Sequence, residues 1–537
     1  MATAEYWAEA VIVREQRTLF SPTLDEMIDQ DHEVRLLDEA LRLMDWTEWE
    51  NVYKRERGQP PIHPRVIAAL WLYGMMRKMR TSRILEYACR HNIDFIWLAE
   101  GHTPDHSKLA EFFTHNKKPL KSLFKQVCRM AMTMGLVRLG TVAFDATRVK
   151  AANGRFNTLT AAGIEKRMAA LDLQIEQMLQ DVTAAEAAAG DSGGTTLPES
   201  IADVKQRRRK LTAALESVRA RDEARKKAGI DPVKNPAQLP MNDQESSVMP
   251  NKEGGYAPNY TPTCLTDGTQ GFIVDSNVLG CINETNELVP AVDRTIDMLG
   301  EKPDNVLTDS GNAAGSVLAG LEDRNITAFA PAKSSEPATD SPVRREDLTQ
   351  PVPESQWPLL KLSDRKQLDK SCFVYDEEHD QYFCPMGRVL KRTDKEIRNG
   401  VLLTRYTSLD CSGCPLASKC LQKHENRESR RSVRRDEHEK ARHRTAERMA
   451  TPEGRAMYDN RSPIAETPFG YLKGFLGHRQ FLRKGLENCG TEWRWSCLSL
   501  NMKKLVRFIR RMRFEMSELL TEDSDIPESM SNCLKPA

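Results

Sequence analysis

The sequence predicts an α/β protein with an all-helical N-terminal domain, and three observations carry that prediction. Apolar residues recur every three or four positions from residue 20 to about 135, which is the period of amphipathic helices. Beyond residue 230, short β-type runs alternate with turns and helical segments, an order typical of α/β folds. Residues 160–230 are rich in Ala, Leu, Glu, Lys and Arg, which favours an inserted helical hairpin that serves as a spacer.

Composition limits the kind of protein. A chain of 537 residues is too long for one ordinary domain, so we expect several. No apolar run approaches the roughly 20 residues that a membrane helix needs, and the N-terminus lacks the basic start of a secretory signal. We therefore expect a cytoplasmic protein with no membrane partner. The 12 cysteines are then expected to be thiols or metal ligands and not disulfides.

The formal net charge of +1 conceals an uneven distribution of charge. Residues 424–455 and 473–513 are strongly basic, whereas the chain beyond residue 514 is acidic and is expected to be a disordered tail. A basic run is often only a solvated face. Close to a cluster of carboxylates it would instead be a surface for DNA phosphates.

Two predicted helix starts lie in the N-terminal region. Pro64 and the segment at Thr103, Pro104 and Asp105 have the residue types that begin helices. The His63-Pro64 pair and the Ser82-Arg83 pair are candidate ligand or DNA contacts. Helix capping and an ordinary surface position are the simpler interpretations.

Two aspartates each close an apolar β-type run. Asp145 ends the run in "TVAFDATRVK", and Asp309 follows "NVLT". Carboxylates at the ends of neighbouring strands can converge at one edge of a sheet, and divalent cations such as Mg²⁺ prefer carboxylate oxygens. A lone aspartate here is more often a turn residue. We also expect Arg148 and Lys150, just after Asp145, to face a passing phosphate backbone.

A third acid is expected near the C-terminal end of the α/β part. Glu466 lies seven residues before Lys473, so the two would share one face of a helix, although two prolines interrupt any long helix there. Glu487 and Glu492 are rival acids for the same role. We prefer Glu466 because aromatic and basic residues surround it in the sequence.

These motifs resemble the acidic triad and the Y-R-E-K signature of the DDE transposases of bacterial insertion sequences. The triad is Asp145, Asp309 and Glu466, and the signature is Tyr458, Arg461, Glu466 and Lys473. The stretches "HPRVIAALWLYGMMRKMRTSRILEYA" and "GHRQFLRKGLENCGTEWRWSCLSLNMKKL" are similar to the helical N-terminal domain and the C-terminal end of that group. The gap between Arg461 and Glu466 is one residue longer than usual, and "TDSGN" replaces the more typical Asp-Ala-Gly-Tyr.

The resemblance implies a ribonuclease-H-like catalytic core in which the three carboxylates hold two Mg²⁺ or Mn²⁺ ions. Asp145 would bridge the ions, and Asp309 and Glu466 would hold one each. Arg461 and Lys473 would neutralise DNA phosphates, with Tyr458 near the transposon end. The implied activity is binding of terminal inverted repeats, metal-dependent cleavage of double-stranded DNA and strand transfer from transposon ends to a target, by a homodimer or a higher assembly on DNA.

Four cysteines between the second and third acids suggest a structural zinc site. A C-x2-C pair and two further thiols match tetrahedral thiolate ligation, which can close a small module that lacks a core of its own. Cys372 and His424 are spare candidates. The four predicted ligands are Cys384, Cys411, Cys414 and Cys420.

These observations divide the chain into six predicted regions. Two other functions remain open, namely a catalytically inactive DNA-binding protein of transposase ancestry and a divalent-metal-dependent DNA nuclease. The regions are a helical DNA-binding/transposase domain (1–135), the first part of the catalytic core (136–159 and 231–335), an inserted helical hairpin (160–230), a Cys-rich insertion (336–450), the C-terminal part of the core (451–514) and an acidic tail (515–537).

Overall fold

A computed structural model describes most of the chain, which divides into two compact units, 1–127 with 498–537 and 128–497. His424 and the acidic tail beyond residue 522 lie outside the described residues. The described residues are 22–53, 60–154, 157–189, 199–227, 229–251, 254–338, 340–398, 401–421 and 430–522.

The N-terminal part of the first unit is helical, as the apolar period predicts. Its interior contains the fully buried aromatic side chains Trp49, Trp71 and Tyr73. The helices of this region are α1 (Glu33–Arg42), α2 (Thr47–Glu50), α3 (Pro64–Met76), α4 (Ser82–His91), α5 (Ile93–Leu98), α6 (His106–His115) and α7 (Lys117–Thr133).

Both predicted helix starts in this region are confirmed. Pro64 is the first residue of α3, where a missing N–H costs nothing, and the His63 ring accepts a hydrogen bond from the Arg65 N–H. Asp105 caps α6 by accepting hydrogen bonds from the N–H groups of residues 107 and 108. His63 is therefore a helix cap, and Arg83 is an exposed residue in the first turn of α4.

The second unit contains a mixed sheet centred on one long strand. The strands are β1 (Thr141–Ala146), β2 (Val149–Lys150), β3 (Thr158–Leu159), β4 (Leu239–Pro240), β5 (Ser247–Pro250), β6 (Tyr256–Asp267), β7 (Ile273–Leu279), β8 (Asn305–Leu307) and β9 (Thr327–Phe329). β6 lies antiparallel between β1 and β7, and β1, β8 and β9 are parallel neighbours. β2 and β5 flank the other half of β6, whereas β3 and β4 pair only with each other.

Two long helices, α8 (Ala161–Ala189) and α9 (Glu199–Lys227), interrupt the chain between β3 and β4. Ion pairs join Arg208 to Asp172 and Arg219 to Glu165. Because the later residue of α9 pairs with the earlier residue of α8, the two helices are antiparallel. Ile164 and Val218 are fully buried between them.

The chain after β7 continues the α/β alternation and then enters a second sheet. The helices α10 (Leu288–Leu299) and α11 (Gly315–Glu322) precede β8 and β9. The second sheet is antiparallel throughout and has its own core around Phe373 and Leu390. Its strands, and the short helix beside them, are β10 (Val374–Asp376), β11 (Gln381–Phe383), β12 (Val389–Arg398), β13 (Val401–Ser408), α12 (Ala417–Cys420) and β14 (Ser432–Asp436).

Helices dominate the described part of the chain after β14. They are α13 (Glu439–Ala450), α14 (Pro452–Asp459), α15 (Arg461–Phe469) and α16 (Leu486–Glu522). Pro468 has no N–H to complete the α-helical ladder, and after α15 the turn Gly470–Phe475 is wound as a π-helix.

The fold is thus a mixed α/β architecture with a helical N-terminal region, as the sequence predicts. Among the described residues, no helix combines the length and the apolar character needed to cross a bilayer.

Candidate active site

Asp145 and Asp309 lie side by side at the carboxyl ends of two neighbouring strands. β1 and β8 are parallel, with Ala143 beside Leu307. The same register continued two residues further aligns Asp145 with Asp309. The convergence that the sequence suggested therefore follows from strand direction and register.

Glu466 reaches this edge of the sheet from α15. Ala465 is buried in one apolar cluster with Ala143 and Leu307, so this helix packs directly on the two strands that carry the aspartates. Space is tight beneath it, because a Cβ added at Gly268 would lie 2.9 Å from the Cδ1 atom of Ile464. The next side chain along the helix, Glu466, is 62% exposed.

One open cleft of about 740 Å³ unites the three predicted acids, and Arg461 and Lys473 line it as well. Tyr458 does not line the cleft but packs against the apolar cluster below it. The lining residues are Asp145, Ala146, Thr147, Arg148, Pro250, Asn251, Glu284, Asp309, Arg461, Glu466, Phe469, Gly470 and Lys473.

Arg461 lies between two of the acids without forming a tight pair with either. Its guanidinium is 3.6 Å from Asp145 Oδ2 and 3.9 Å from Glu466 Oε1. The side chain is only 16% exposed, and its Nε is buried with no hydrogen-bond partner in the described part of the chain. The arginine therefore offsets negative charge in the cleft without neutralising it.

Lys473 and Tyr458 lie near the three acids on different elements. The Lys473 ammonium, on the π-helical turn, donates to Thr147 Oγ1 at 3.0 Å and to the Arg148 carbonyl at 3.1 Å. Burial raises the pKa of the Tyr458 hydroxyl; nearby Arg461 opposes that rise, and the aspartates of the cleft add to it. Lys473 lines the cleft, whereas Tyr458 lies outside its lining but interacts electrostatically with Arg461 and the two aspartates.

Three residues at or beside the cleft were not fully anticipated from the sequence. Arg148 was expected to face a phosphate backbone, but its guanidinium donates to Thr261 Oγ1 and to the Ile282 carbonyl and is 3.7 Å from Glu284. Arg148 thus bonds to the loop after β7, but it also lines the cleft, and its expected position facing a phosphate backbone stays a prediction. Glu284, on that loop, lies in no pattern that would have marked it.

The third residue is Asn312, which holds the Asp309 carboxylate. Its backbone N–H and its side-chain amide both donate to Asp309 Oδ1, at 3.2 and 3.1 Å. The spacing Asp-x-x-Asn in "DSGN" is a local turn signal that could have identified this contact.

The rival acids do not line the cleft. Glu492 is buried, and its carboxylate accepts hydrogen bonds from the N–H groups of Leu482 and Arg483. Glu487 is exposed in the first turn of α16. Of the three candidates, only Glu466 lies with Asp145 and Asp309.

The four predicted zinc ligands lie in one region, and Cys384, Cys414 and Cys420 pack against the core of the second sheet. Burial, with smaller contributions from Cys384, Cys411 and Cys414, raises the pKa of the Cys420 thiol to about 12. Cys372 instead lies in that core and donates to the Lys361 carbonyl.

The described residues contain no group of three or more His, Cys, Asp or Glu side chains already arranged around a metal position. For zinc, the structure therefore adds no support beyond the proximity of the thiols. For Mg²⁺ or Mn²⁺, three carboxylates facing one cleft are a donor set of suitable chemistry.

An acidic cleft at the carboxyl ends of parallel strands, with two cations beside it, is typical of enzymes that cleave phosphodiesters with divalent metals. Two family models match the chain: a transposase DDE domain over residues 383–506 and a transposase domain designated DUF772 over residues 22–115. Together these two matches support a DDE-type transposase of an insertion sequence, a family that generally uses divalent metals and acts on DNA. A comparison with curated proteins found no match.

Proposed function

We propose that this transposase binds the terminal inverted repeats of its insertion sequence and catalyses metal-dependent strand cleavage and strand transfer. The observation that carries the proposal is the single cleft shared by Asp145, Asp309 and Glu466. The matched DDE domain contains Glu466, whereas both aspartates lie outside residues 383–506. The sheet register therefore supports the triad independently of that match.

The sheet around the triad is proposed to be a ribonuclease-H-like core. Its support is the adjacency of the parallel strands β1 and β8, with Asp145 near the end of β1, Asp309 two residues after β8, and α15 packed on both strands. In this proposal α8 and α9 are an insertion between early strands of the core, and residues 336–450 are a second insertion.

Asp145, Asp309 and Glu466 would hold two Mg²⁺ or Mn²⁺ ions. Bound there, such ions lower the pKa of the attacking water or 3′-hydroxyl and stabilise the leaving oxygen. The protein supplies position: the register of β1 and β8 fixes the two aspartates, and α15 brings Glu466 to them.

Arg461 and Lys473 are proposed to contact the DNA backbone. Both are cations on the wall of the cleft, so a phosphate that enters can replace the loose contacts of Arg461 with Asp145 and Glu466. Tyr458, which packs against the apolar cluster below the cleft, would lie near the transposon end.

End recognition is proposed for the helical N-terminal domain, with the basic residues of α16 as further phosphate contacts. A homodimer or a higher assembly on DNA is proposed, because two transposon ends must be joined to one target.

A structural Zn²⁺ ion held by the four cysteines is proposed for the second sheet. The supporting facts are the C-x2-C spacing and the shared core that three of these thiols contact. Zinc analysis of the purified protein tests it. About one zinc per chain, lost in a Cys411→Ser/Cys414→Ser double variant, is expected, and a chain free of zinc contradicts the proposal.

The decisive test is Asp145→Asn in a cleavage assay on DNA that carries the terminal repeats. We expect cleavage to fall by about a thousandfold, since a metal ligand contributes several kcal/mol to the transition state, with binding of end DNA retained. Asp304→Asn is the matched control, because Asp304 is exposed at the opposite end of β8.

Other outcomes favour the remaining functions. Specific binding of the repeats by a wild-type protein that never cleaves them would indicate an inactive DNA-binding protein. Cleavage without preference for the repeats would indicate a nuclease, and full cleavage by Asp145→Asn would remove the triad assignment.

A further inference from the structure

The loop after β8 donates two hydrogen bonds to one oxygen of Asp309. Asp309 is the N-cap of the short turn Ser310–Asn312 and accepts the Asn312 N–H. The Asn312 side-chain amide donates to the same atom, Oδ1, at 3.1 Å. The second oxygen, Oδ2, accepts no hydrogen bond from the described residues, so one oxygen is occupied and the other remains available.

The backbone of this loop is shaped around that carboxylate. A Cβ at Gly311 would lie 3.2 Å from Asp309 Oδ1, tighter than ordinary van der Waals contact. The Gly311 carbonyl is itself fixed by a hydrogen bond from Thr285 Oγ1, at 2.9 Å. The loop thus leaves the carboxylate little freedom to rotate.

The environment of Asn312 is unusual for a residue that only supports the fold. The side chain is 1% exposed, and its carbonyl oxygen Oδ1 is buried with no partner in the described part of the chain. An unsatisfied buried carbonyl destabilises a fold. In the described part of the chain, the Asn312 side chain therefore forms its hydrogen bond through its amide NH₂ group and not through its carbonyl oxygen.

We propose that Asn312 is a positioning residue that orients the Asp309 carboxylate, so that Oδ2 is presented to a divalent cation. This inference rests on the proposed function, since it takes Asp309 as a metal ligand. Partners of this kind, one step removed from the ligand, fix its orientation, and their loss typically costs about 10- to 100-fold in metal affinity.

Two variants separate positioning from folding. Asn312→Ala removes the amide, and Asn312→Asp keeps its size but replaces the donor with a second carboxylate close to Asp309. Asn305→Ala is the matched control, because Asn305 is the first residue of β8 and donates its amide to the Gly140 carbonyl at 3.0 Å and not to Asp309.

The first readout is the Mn²⁺ concentration that gives half-maximal cleavage of end DNA. We expect it to rise about tenfold in Asn312→Ala and further in Asn312→Asp, and to stay at the wild-type value in Asn305→Ala. The second readout is the Mn²⁺ affinity of the full chain without DNA, measured by titration calorimetry. The same order of affinities is expected.

Wild-type Mn²⁺ affinity in both Asn312 variants would overturn the inference. So would a loss of cleavage in them that saturating Mn²⁺ does not relieve and that Asn305→Ala reproduces, since this is the pattern of a structural role. Asp309→Asn keeps the two claims distinct: if it cleaves normally, the proposed active site fails, whereas if it is inactive and the Asn312 variants are normal, only the positioning role fails.

Discussion

Two glutamates of the second unit have similar sequence surroundings and opposite environments. Glu466 is 62% exposed, and its contact with Arg461 is a loose 3.9 Å. Glu492 is 4% exposed, and the N–H groups of Leu482 and Arg483 donate to its carboxylate at 3.0 Å. A carboxylate whose hydrogen bonds are satisfied by the backbone supports the fold, whereas one left open beside other acids can bind a ligand.

The buried surroundings of Glu492 also contain His478, which forms a hydrogen bond with Ser496 at 2.9 Å and lies 3.6 Å from Glu492. The set of a serine, a histidine and an acid has the composition of a hydrolytic triad, yet His478 is completely buried. The comparison shows that residue type alone does not define a site, because access and unused bonding capacity also matter.

The largest expected effect is that of Glu466→Gln. Cleavage of end DNA should fall by about a thousandfold, because the amide is a poor ligand for divalent metals. The midpoint of thermal unfolding should stay within about 1 °C of wild type, since an exposed side chain contributes little to stability. A large drop in that midpoint would place Glu466 in the same class as Glu492.

Lys473→Met should have the next largest effect. We expect cleavage to fall by about 10- to 100-fold and the slope of log affinity for DNA against log salt to become shallower by about one unit, the loss of one phosphate contact. Lys302→Met, at an exposed lysine outside the cleft, is the control. An unchanged salt slope would contradict a phosphate contact at Lys473.

Glu492→Gln should change stability and not chemistry. A neutral amide accepts weaker hydrogen bonds from the two N–H groups, so the midpoint of thermal unfolding should fall by about 5 °C. The Mn²⁺ concentration for half-maximal cleavage should not change. If it rises instead, Glu492 would take part in metal binding, and the distinction between the two glutamates would be wrong.

The smallest expected effect concerns the pH dependence of stability and the carboxyl of Asp243. Burial raises the pKa of Asp243, although hydrogen bonds from Tyr260 and the Gly485 N–H oppose the shift. A carboxyl whose pKa is higher in the folded state stabilises the fold below its unfolded pKa, and this contribution is lost as pH rises through the folded value. Asp243→Asn should therefore flatten the decline in thermal stability above about pH 4, measured by unfolding scans between pH 4 and 7; an unchanged decline would contradict this role.

Much of the fold could be predicted because it depends on local pattern. Helical periodicity indicated the N-terminal helices, and the β-type runs beyond residue 230 indicated strands that alternate with helices, both of which the structure confirms. The pairing of Asp145 with Asp309 could be anticipated because parallel strands align their ends.

The rest depends on tertiary structure that no local pattern encodes. Glu284 reaches the cleft on the loop after β7, Asn312 is buried next to Asp309, and Arg148 donates to Thr261 on β6. The difference between Glu466 and Glu492 is one of burial, which the sequence does not distinguish. The catalytic and zinc roles stay predictions.

Iron-directed cleavage of the polypeptide tests whether Asp145, Asp309 and Glu466 bind the same metal ions. Fe²⁺ in place of Mg²⁺, with ascorbate and peroxide, produces hydroxyl radicals that cut the chain beside the bound ion. We expect cuts close to all three acids, suppressed together by excess Mg²⁺ and by Asp145→Asn. Cuts near only one acid, or cuts near all three that Asp145→Asn leaves unchanged, would contradict a shared site.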